Sequence, residues 1–410
     1  MKYKTFLSIL FGIVLFAPSA YCADGGTCGE NCSWSFEDGK LTISGTGEME
    51  QYHSKYVGYY TSDAPWVAYR NQINTIEIGE GITNVSDYAF FGVQASSVSL
   101  PETVTSLGAN SFNSNKKMQT IDLPSGLTSI GEAAFRGATG LTDITIPEGV
   151  TTLPKQLFHG ASNLTNVTIG NNVTTIENDV FRTTNLTSIN IPETLKSVGD
   201  YAFAFTNLSE GDLSNTVITK IGQYAFAGTD IKELTLPESY TKIGFQAFIN
   251  MKNLEKVNIP EGVTAMSYGA FSGCSNLTDI VLPQSLQQIT TGDFADCTSL
   301  TILLIPAGVT RMDGRPLQGA TGMMELWCFS EQEAMCRTAI DKSYLDQSIL
   351  RLYTKDDNGR YYKDGEDYDS LEDLINNKPH DHSIPNNPIF GTSYGRHPYA
   401  VSSKTLPSAN

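Results

Sequence analysis

The chain has 410 residues, of which 40% are hydrophobic and 17% are charged, so it carries enough apolar material for a packed core and wholesale disorder is excluded. Asp and Glu number 44 against 27 Lys and Arg, which gives a formal net charge of -17 at pH 7. Nucleic acid is excluded as a general partner, because this charge would repel its phosphates and no cluster of Lys and Arg offsets it.

The first 22 residues have the pattern of a secretory signal peptide. Lys2 and Lys4 give a positive start, residues 6–16 form an apolar run, and small residues lead to a cleavage site after Cys22. The run is too short for a transmembrane helix, which needs about 20 apolar residues, and no later run is long enough. We therefore expect a secreted or cell-surface protein. Lipid attachment at Cys22 is the alternative to cleavage after it, although Tyr21 matches the small residue of a lipoprotein signal poorly.

Residues 23–72 are predicted to form a β-hairpin followed by a short helix. The segments 33–36 and 41–43 alternate polar and apolar residues on either side of Asp38-Gly39. An Asp-Gly pair between alternating segments is a strong hairpin signal. Trp66 supplies this region with a large apolar side chain for packing.

A repeat of about 23 residues fills residues 73–327, in ten to eleven units. Its clearest marks are phenylalanines 22 or 23 residues apart, a series that Leu317 continues; they are Phe90, Phe112, Phe135, Phe158, Phe181, Phe203, Phe226, Phe248, Phe271 and Phe294. Prolines such as Pro147 and Pro260 follow the same period. A fixed period of this length is the signature of a repeat architecture.

Each unit combines an alternating segment with a loop around its phenylalanine. Residues 142–146 alternate, which predicts a strand with one buried face, and Pro147 ends it because proline cannot donate to a continuing ladder. Residues 131–138 predict a helical turn that carries Phe135 inward. A single unit cannot bury its apolar side chains alone, so the units must stack. The predicted fold is a right-handed solenoid with a parallel β-sheet on one face, short helical turns and loops elsewhere, and a cap at each end.

Residues 328–377 depart from the repeat and are predicted to form the C-terminal cap, as residues 23–72 form the N-terminal one. We expect a hairpin that turns at residues 357–359, then a short helix from Ser370. Residues 378–410 are rich in Pro, Asn, Ser and Gly, which predicts a loose tail.

Six cysteines remain once Cys22 is removed or lipidated, an even number in an exported chain. Proximity pairs Cys28 with Cys32 and Cys328 with Cys336. Cys274 and Cys297 each follow their phenylalanine by three residues, so stacking places them within the Cα range of a disulfide. An oxidising compartment favours that bridge over two free thiols, which are the alternative.

The repeat resembles the BspA-like leucine-rich repeats of bacterial surface and secreted proteins over residues 73–326. The positions that match are Ile130, Gly131, Ala134, Phe135, Leu141, Ile144, Ile146 and Pro147. Residues 28–52 and 64–83 are similar to the leader that commonly precedes such arrays. The resemblance implies a leucine-rich-repeat solenoid, and it implies a role in adhesion to host proteins or other cells.

The outward positions of the predicted strands are mostly small and polar, with some acidic residues. Our candidate binding residues on this face are Asp122, Asp143, Thr145, Asn166, Thr168, Ser188, Asn190, Glu233, Lys256, Asn258 and Asp279. An ordinary solvated sheet face is the alternative to a recognition surface. Ile302 and Leu304 break the polar pattern on the last strand and are predicted to meet the C-terminal cap.

No pattern on the repeat array predicts catalysis, a cofactor or a metal site. Residues 391–395 fit the G-x-S-x-G motif, but only 15 residues follow, too few for the acid and histidine that such hydrolases place after it. His380 and His382 offer two metal ligands in the tail, and the acidic cluster at 364–369 lacks the glycine of a calcium-binding EF-hand loop.

The sequence therefore predicts a non-enzymatic, exported binding or adhesion protein that engages extracellular or cell-surface proteins or glycans. The alternative is a structural spacer at the cell surface without a specific ligand.

Overall fold

The structure is a computed structural model that describes residues 24–355, 361–363, 366–368 and 373. The predicted signal peptide, the tail from residue 378, the turn at residues 357–359 and Ser370, where the predicted C-terminal helix begins, lie outside the described residues. So do His380, His382 and the motif at residues 391–395.

The N-terminal region contains two hairpins. Its strands are β1 (Asp24–Gly29), β2 (Cys32–Glu37), β3 (Lys40–Gly45), β4 (Ser54–Tyr56) and β5 (Tyr60–Ser62), followed by a 3-10 helix at Val67–Tyr69. β2 and β3 pair antiparallel, as the sequence predicts. Asp38 and Gly39 between them have φ of 48° and 83°, the two positive values that a type I′ turn requires. A Cys28–Cys32 disulfide joins the β1 end to β2.

The repeat array is a stack of two- to four-residue strands. They are β6 (Thr75–Ile78), β7 (Asn84–Val85), β8 (Ser97–Ser99), β9 (Ser106–Leu107), β10 (Ser129–Ile130), β11 (Asp143–Thr145), β12 (Thr152–Leu153), β13 (Asn166–Thr168), β14 (Thr175–Ile176), β15 (Ser188–Ile189), β16 (Ser197–Val198), β17 (Lys220–Ile221), β18 (Glu233–Thr235), β19 (Lys242–Ile243), β20 (Lys256–Asn258), β21 (Ala265–Met266), β22 (Asp279–Val281), β23 (Gln288–Ile289), β24 (Ile302–Leu304) and β25 (Arg311–Met312).

These strands form two parallel rows rather than the single predicted sheet. The first row, whose outward side we call the strand face, contains the sheets β11-β13-β15 and β18-β20-β22, with β3-β6-β8 before them and β24 after them. The second row contains β10-β9-β7, β12-β14-β16-β17 and β19-β21-β23-β25. In both rows a residue pairs with its equivalent one unit away, as Asp143 does with Asn166.

The turn around each phenylalanine forms a third set of contacts between units, which we call the turn ridge. The amides of Ala133 and Phe135 donate to the carbonyls of Lys155 and Leu157 in the next unit, at 2.9 and 3.0 Å. The amide between them, that of Ala134, donates within the turn to Gly131. Ala133 has a φ of 58°, and most other units also have a positive φ at this position. Main-chain hydrogen bonds therefore hold the stack together at three places around each unit.

The core is a column of stacked phenylalanine rings. All ten repeat phenylalanines are buried, and consecutive ring centroids lie 5.1–6.2 Å apart. Trp66 extends the column beyond Phe90 with a centroid distance of 5.7 Å, and its Nε1 donates to the Ala89 carbonyl at 2.7 Å. The N-terminal region thus covers the open end of the core, which a solenoid needs for solubility.

The C-terminal region contains β26 (Glu325–Phe329), α1 (Glu333–Lys342), β27 (Leu350–Lys355), β28 (Tyr361–Lys363) and β29 (Glu366–Tyr368), with 3-10 helices at Ser330–Gln332 and Gln347–Ile349. α1, which the sequence analysis did not predict, connects the parallel pair β26 and β27 and buries Ile340. β27 and β28 form an antiparallel pair. Ile302 and Leu304 pack against the cluster Trp327, Tyr353, Tyr361 and Tyr368, so they meet this region as predicted.

The cysteines form two disulfides instead of three. Cys328 and Cys336 are bonded, as are Cys28 and Cys32, whereas Cys274 and Cys297 are buried free thiols. The bridge predicted between Cys274 and Cys297 was therefore wrong. Each of these thiols donates to a phenylalanine carbonyl one unit back, at 3.2 and 3.3 Å. Stacking thus orients the two side chains in parallel, whereas a disulfide needs their Cβ atoms to converge to about 3.8 Å.

Candidate functional site

The strand face carries most of the predicted binding residues in two groups. In β11, β13 and β15, Asp143, Asn166 and Ser188 are register partners, and Thr145 pairs with Thr168. In β18, β20 and β22, Glu233, Lys256 and Asp279 are register partners, as are Thr235, Asn258 and Val281. The parallel register therefore brings each set of equivalent side chains into one line across the face.

A break in the first row separates the two groups. Residues 209–212 form only one bridge, between Asp212 and Thr235, instead of a strand. The residue that would fill the core at this place is Gly211, and a Cβ added there would lie 2.5 Å from Ile231 Cγ2. The backbone of this unit therefore lies too close to its neighbour to carry the usual buried side chain.

Two predicted binding residues have other positions. Asn190 follows β15, and its side-chain amide accepts from the Ile169 amide at 2.8 Å and donates to the Ile169 carbonyl at 2.7 Å. It replaces the missing ladder at that point, which is a structural role. Asp122 is exposed but lies outside any strand, so it is not in register with the others.

The second group lines a concave site that we call the acidic groove. Its volume is about 450 Å³, and its polar lining includes Thr235, Glu238, Lys256, Asn258, Glu261 and Asp279. Asn258 Nδ2 donates to Thr235 Oγ1 at 3.2 Å, and Glu261 accepts from the Gln284 amide at 2.8 Å. These bonds fix part of the wall, as a preformed binding site requires.

Charge in the acidic groove is predominantly negative. The lining includes three carboxylates and one ammonium group, that of Lys256, and Glu233 is the register partner of Lys256 on the adjacent strand. Partial burial raises the pKa of Asp279, Lys256 lowers it and Glu233 raises it further. This arrangement suits a ligand that brings positive charge, because a cation relieves the repulsion between the carboxylates.

The sequence analysis missed a row of partly exposed aromatic residues on the turn ridge. Tyr201 stacks on Tyr224 at 4.7 Å, and Phe245 stacks on Tyr268 at 5.5 Å. The Arg182 guanidinium covers the other side of this row, 4.5 Å from the Tyr201 ring centroid. The sequence contains a signal for this row: these rings stand two or three residues before the repeat phenylalanine, where most other units carry polar or small residues.

The stacked units, the two rows of parallel strands and the strand face define a leucine-rich-repeat solenoid. Residues 68–186, 139–232 and 219–321 match the family described as BspA type leucine-rich repeat region, and together they span more than half of the chain. The chain therefore belongs to the BspA-type leucine-rich repeat family. A search of curated proteins finds no match.

Solved structures of bacterial leucine-rich repeat proteins are similar. A leucine-rich repeat protein from Bacteroides ovatus is 18% identical, over 79% of this chain and 98% of that one, with a TM-score of 0.54. A leucine-rich cell surface protein from Faecalibacterium prausnitzii is 20% identical, over 82% and 95%, with a TM-score of 0.47. The pneumococcal vaccine antigen PcpA is 18% identical, over 73% and 80%, with a TM-score of 0.45. Because its sequence identity to this chain is only 18%, the similarity to the Bacteroides ovatus structure shows a shared fold alone.

Two further observations concern only the part of the chain that the structure describes. No helix there is long and apolar enough to cross a membrane. No group of three or more His, Cys, Asp or Glu side chains there is placed to hold a metal ion.

Proposed function

We propose that this protein is an exported, non-enzymatic adhesion protein that binds an extracellular or cell-surface protein through the acidic groove. Membership of the BspA-type family supports a role in protein interaction or adhesion. The observation that carries the proposal is the groove itself, because it is a concave site on the strand face and contains Thr235, Asn258 and Asp279 from three successive strands.

The charge of the groove narrows the class of partner. Glu238, Glu261 and Asp279 favour a segment that presents Lys or Arg side chains, which form charge-assisted hydrogen bonds with carboxylates. Thr235 and Asn258 supply neutral hydrogen-bonding groups beside them. A basic, extended segment of a host or matrix protein fits this combination better than a neutral glycan does.

The experiment measures binding of residues 23–410 to an array of extracellular matrix proteins, mucins and glycans. We expect saturable binding to a protein with a basic segment. The double variant Glu238→Lys with Asp279→Asn should weaken that binding about tenfold or more, since both side chains line the groove and hydrogen bonds to charged groups contribute about 1.5–3 kcal/mol each. Circular dichroism checks that the variant is folded.

Asp143→Lys is the matched control, because Asp143 lies on the same face but in the other sheet. Binding that depends on Asp143 and not on Glu238 and Asp279 would contradict the assignment to the groove. Saturable binding to no component of the array would favour the second candidate function, a structural spacer. The solvated character of the first strand group, with its small polar side chains, is the observation that favours a spacer.

A further inference from the structure

A second concave site lies on the turn ridge, at its N-terminal end. We call it the ridge groove; its volume is about 540 Å³, and it lies between the β4–β5 hairpin and the turns of four successive units. Its walls include Tyr60, Tyr88, Phe91, Asn113, Arg136 and His159. None of these residues lines the acidic groove, so the two sites are separate.

The hairpin wall is aromatic and fixed in place. Arg70 donates to the Tyr59 hydroxyl at 3.0 Å and to Thr61 Oγ1 at 3.3 Å, and its guanidinium lies 4.9 Å from the Tyr59 ring centroid. Tyr60 makes an edge contact with Tyr56 at 5.3 Å and is 70% exposed. An aromatic ring that is mostly exposed beside a cavity suits contact with a partner.

The opposite wall combines two aromatic rings with polar groups that are held by their neighbours. The rings of Tyr88 and Phe91 are in contact, with centroids 5.8 Å apart. The Asn113 amide donates to Asn110 Oδ1 at 2.7 Å and accepts from the Ser114 hydroxyl at 2.7 Å. This pairing orients the two amides without consuming all of their hydrogen-bonding capacity.

Positive charge in the ridge groove has no carboxylate to balance it. Arg136 is exposed, its guanidinium donates to the neutral Gln156 side chain at 3.3 Å, and no carboxylate of the described residues lies within ion-pair distance of it. The lining contains no Asp or Glu. By contrast Arg182, one unit beyond His159, pairs with Asp179 at 3.0 Å. In a chain with a net charge of -17, an unpaired arginine in a cavity indicates an anionic ligand.

His159 adds an unsatisfied polar atom. Its Nδ1 is buried and has no hydrogen-bond partner among the described residues. Burial, together with Arg136, lowers the pKa of His159, so its imidazole is neutral at pH 7 and offers one donor and one acceptor. A buried polar atom without a partner is rare in folded proteins, and the ring that carries it lines the ridge groove.

We propose that the ridge groove binds an acidic sugar, that is, a pyranose that carries a carboxylate. The Arg136 guanidinium matches a carboxylate in a bidentate pair, the Asn113 amide and His159 match hydroxyls, and the rings of Tyr60 and Tyr88 match the apolar C–H faces of the sugar. An acidic peptide fits less well, because it brings several carboxylates to a cavity that holds one unpaired cation. A neutral sugar would leave Arg136 unpaired.

The test titrates residues 23–410 with glucuronic acid, N-acetylneuraminic acid, glucose and acetate by calorimetry or ligand-observed NMR. We expect saturable millimolar binding of at least one acidic sugar, and the stronger of the two identifies the source of the carboxylate. Glucose and acetate should each bind at least about tenfold more weakly than the acidic sugar, since each lacks half of the recognised groups. Binding of glucose or of acetate as tight as that of the acidic sugar would overturn the proposal, as would failure of both acidic sugars to bind.

Variants locate the site. Arg136→Met should weaken acidic-sugar binding about tenfold and Tyr60→Ala severalfold, whereas Arg311→Met, which removes an exposed arginine from the second strand row, should have no effect. Unchanged binding in Arg136→Met would refute the site, and so would displacement of the sugar by a glutamate-rich peptide of higher affinity. Arg136→Met should leave protein binding at the acidic groove intact, so failure here is distinguishable from failure of the proposed function.

Discussion

Asp293 is a buried carboxyl in a position where most units carry alanine. It stands directly before Phe294 and is fully buried. Its oxygens accept from the Ala270 amide at 3.2 Å and from the Thr290 amide at 2.5 Å. Burial outweighs these bonds and raises the pKa of Asp293 to about 7.

This pKa makes stability depend on pH. The unfolded chain titrates Asp near its ordinary pKa of about 3.9, so between pH 4 and 7 the folded state binds a proton that the unfolded state does not. The contribution is fully present below about pH 4 and is lost as pH rises through about 7. We expect the free energy of unfolding to fall by on the order of 2 kcal/mol between pH 5 and 8 relative to Asp293→Asn, measured by urea denaturation. Parallel pH profiles for the two proteins would contradict this.

Cys274 and Cys297 offer a second test at the scale of single residues. Burial raises the pKa of Cys297 to about 12 and that of Cys274 well above its ordinary value, so both thiols are protonated and inert. Folded residues 23–410 should not react with a thiol reagent such as DTNB. After unfolding without reductant, two thiols per chain should react. No reactive thiol after unfolding would mean that the two cysteines are bridged after all.

At the scale of elements, the strands and turns that could be predicted are those whose residues repeat or alternate regularly in the sequence. Residues 142–146 alternate over five positions, and the three-residue strand β11 lies within them. The strands of the second row have two residues, such as Thr152–Leu153, which is too short for any periodicity, so that row was missed. α1 was missed because only Cys336, Ala339 and Ile340 are buried along it, a weak apolar stripe.

The candidate site was predictable in part for the same reason. Alternation places Lys256 and Asn258 on the outward side of β20, and both line the acidic groove. Glu238 and Glu261 come after the strands, where no alternation identifies them. The turns that follow the strands place them in the lining of the groove. The ridge groove depends on contact between β4–β5 and units far along the chain, which no local pattern records.

Gly211 lies at the break between the sheets β11-β13-β15 and β18-β20-β22, where we expect a side chain to be destabilising. A side chain at position 211 would restore the repeat pattern, but its Cβ would lie 2.5 Å from Ile231 Cγ2 and 2.6 Å from the Glu233 carbonyl oxygen. We expect Gly211→Ala to destabilise the protein by about 1–3 kcal/mol in urea denaturation, as overpacking does. Gly126→Ala is the matched control, since its Cβ would have only ordinary contact, at 3.7 Å, and should change stability little. A neutral Gly211→Ala would show that the backbone there can relax.

At the scale of the whole molecule, the array places two concave sites of opposite charge on different surfaces. The acidic groove collects three carboxylates at the edge of the strand face, whereas the ridge groove presents Arg136 without an acid. Parallel stacking produces both, because equivalent positions of successive units fall into rows and each row can vary independently. The column of phenylalanine rings and the covered ends keep these rows in place.

Covalent labelling of lysines tests most directly whether a partner protein occupies the acidic groove. Lys256 lines the groove. Lys155 lies on the turn ridge, its side chain is 49% exposed, and it serves as the internal control. Acetylation of residues 23–410, with and without the partner found on the protein array, is read out by mass spectrometry. We predict that the partner protects Lys256 and leaves Lys155 unchanged. Unchanged labelling of Lys256 in a saturated complex would contradict the account.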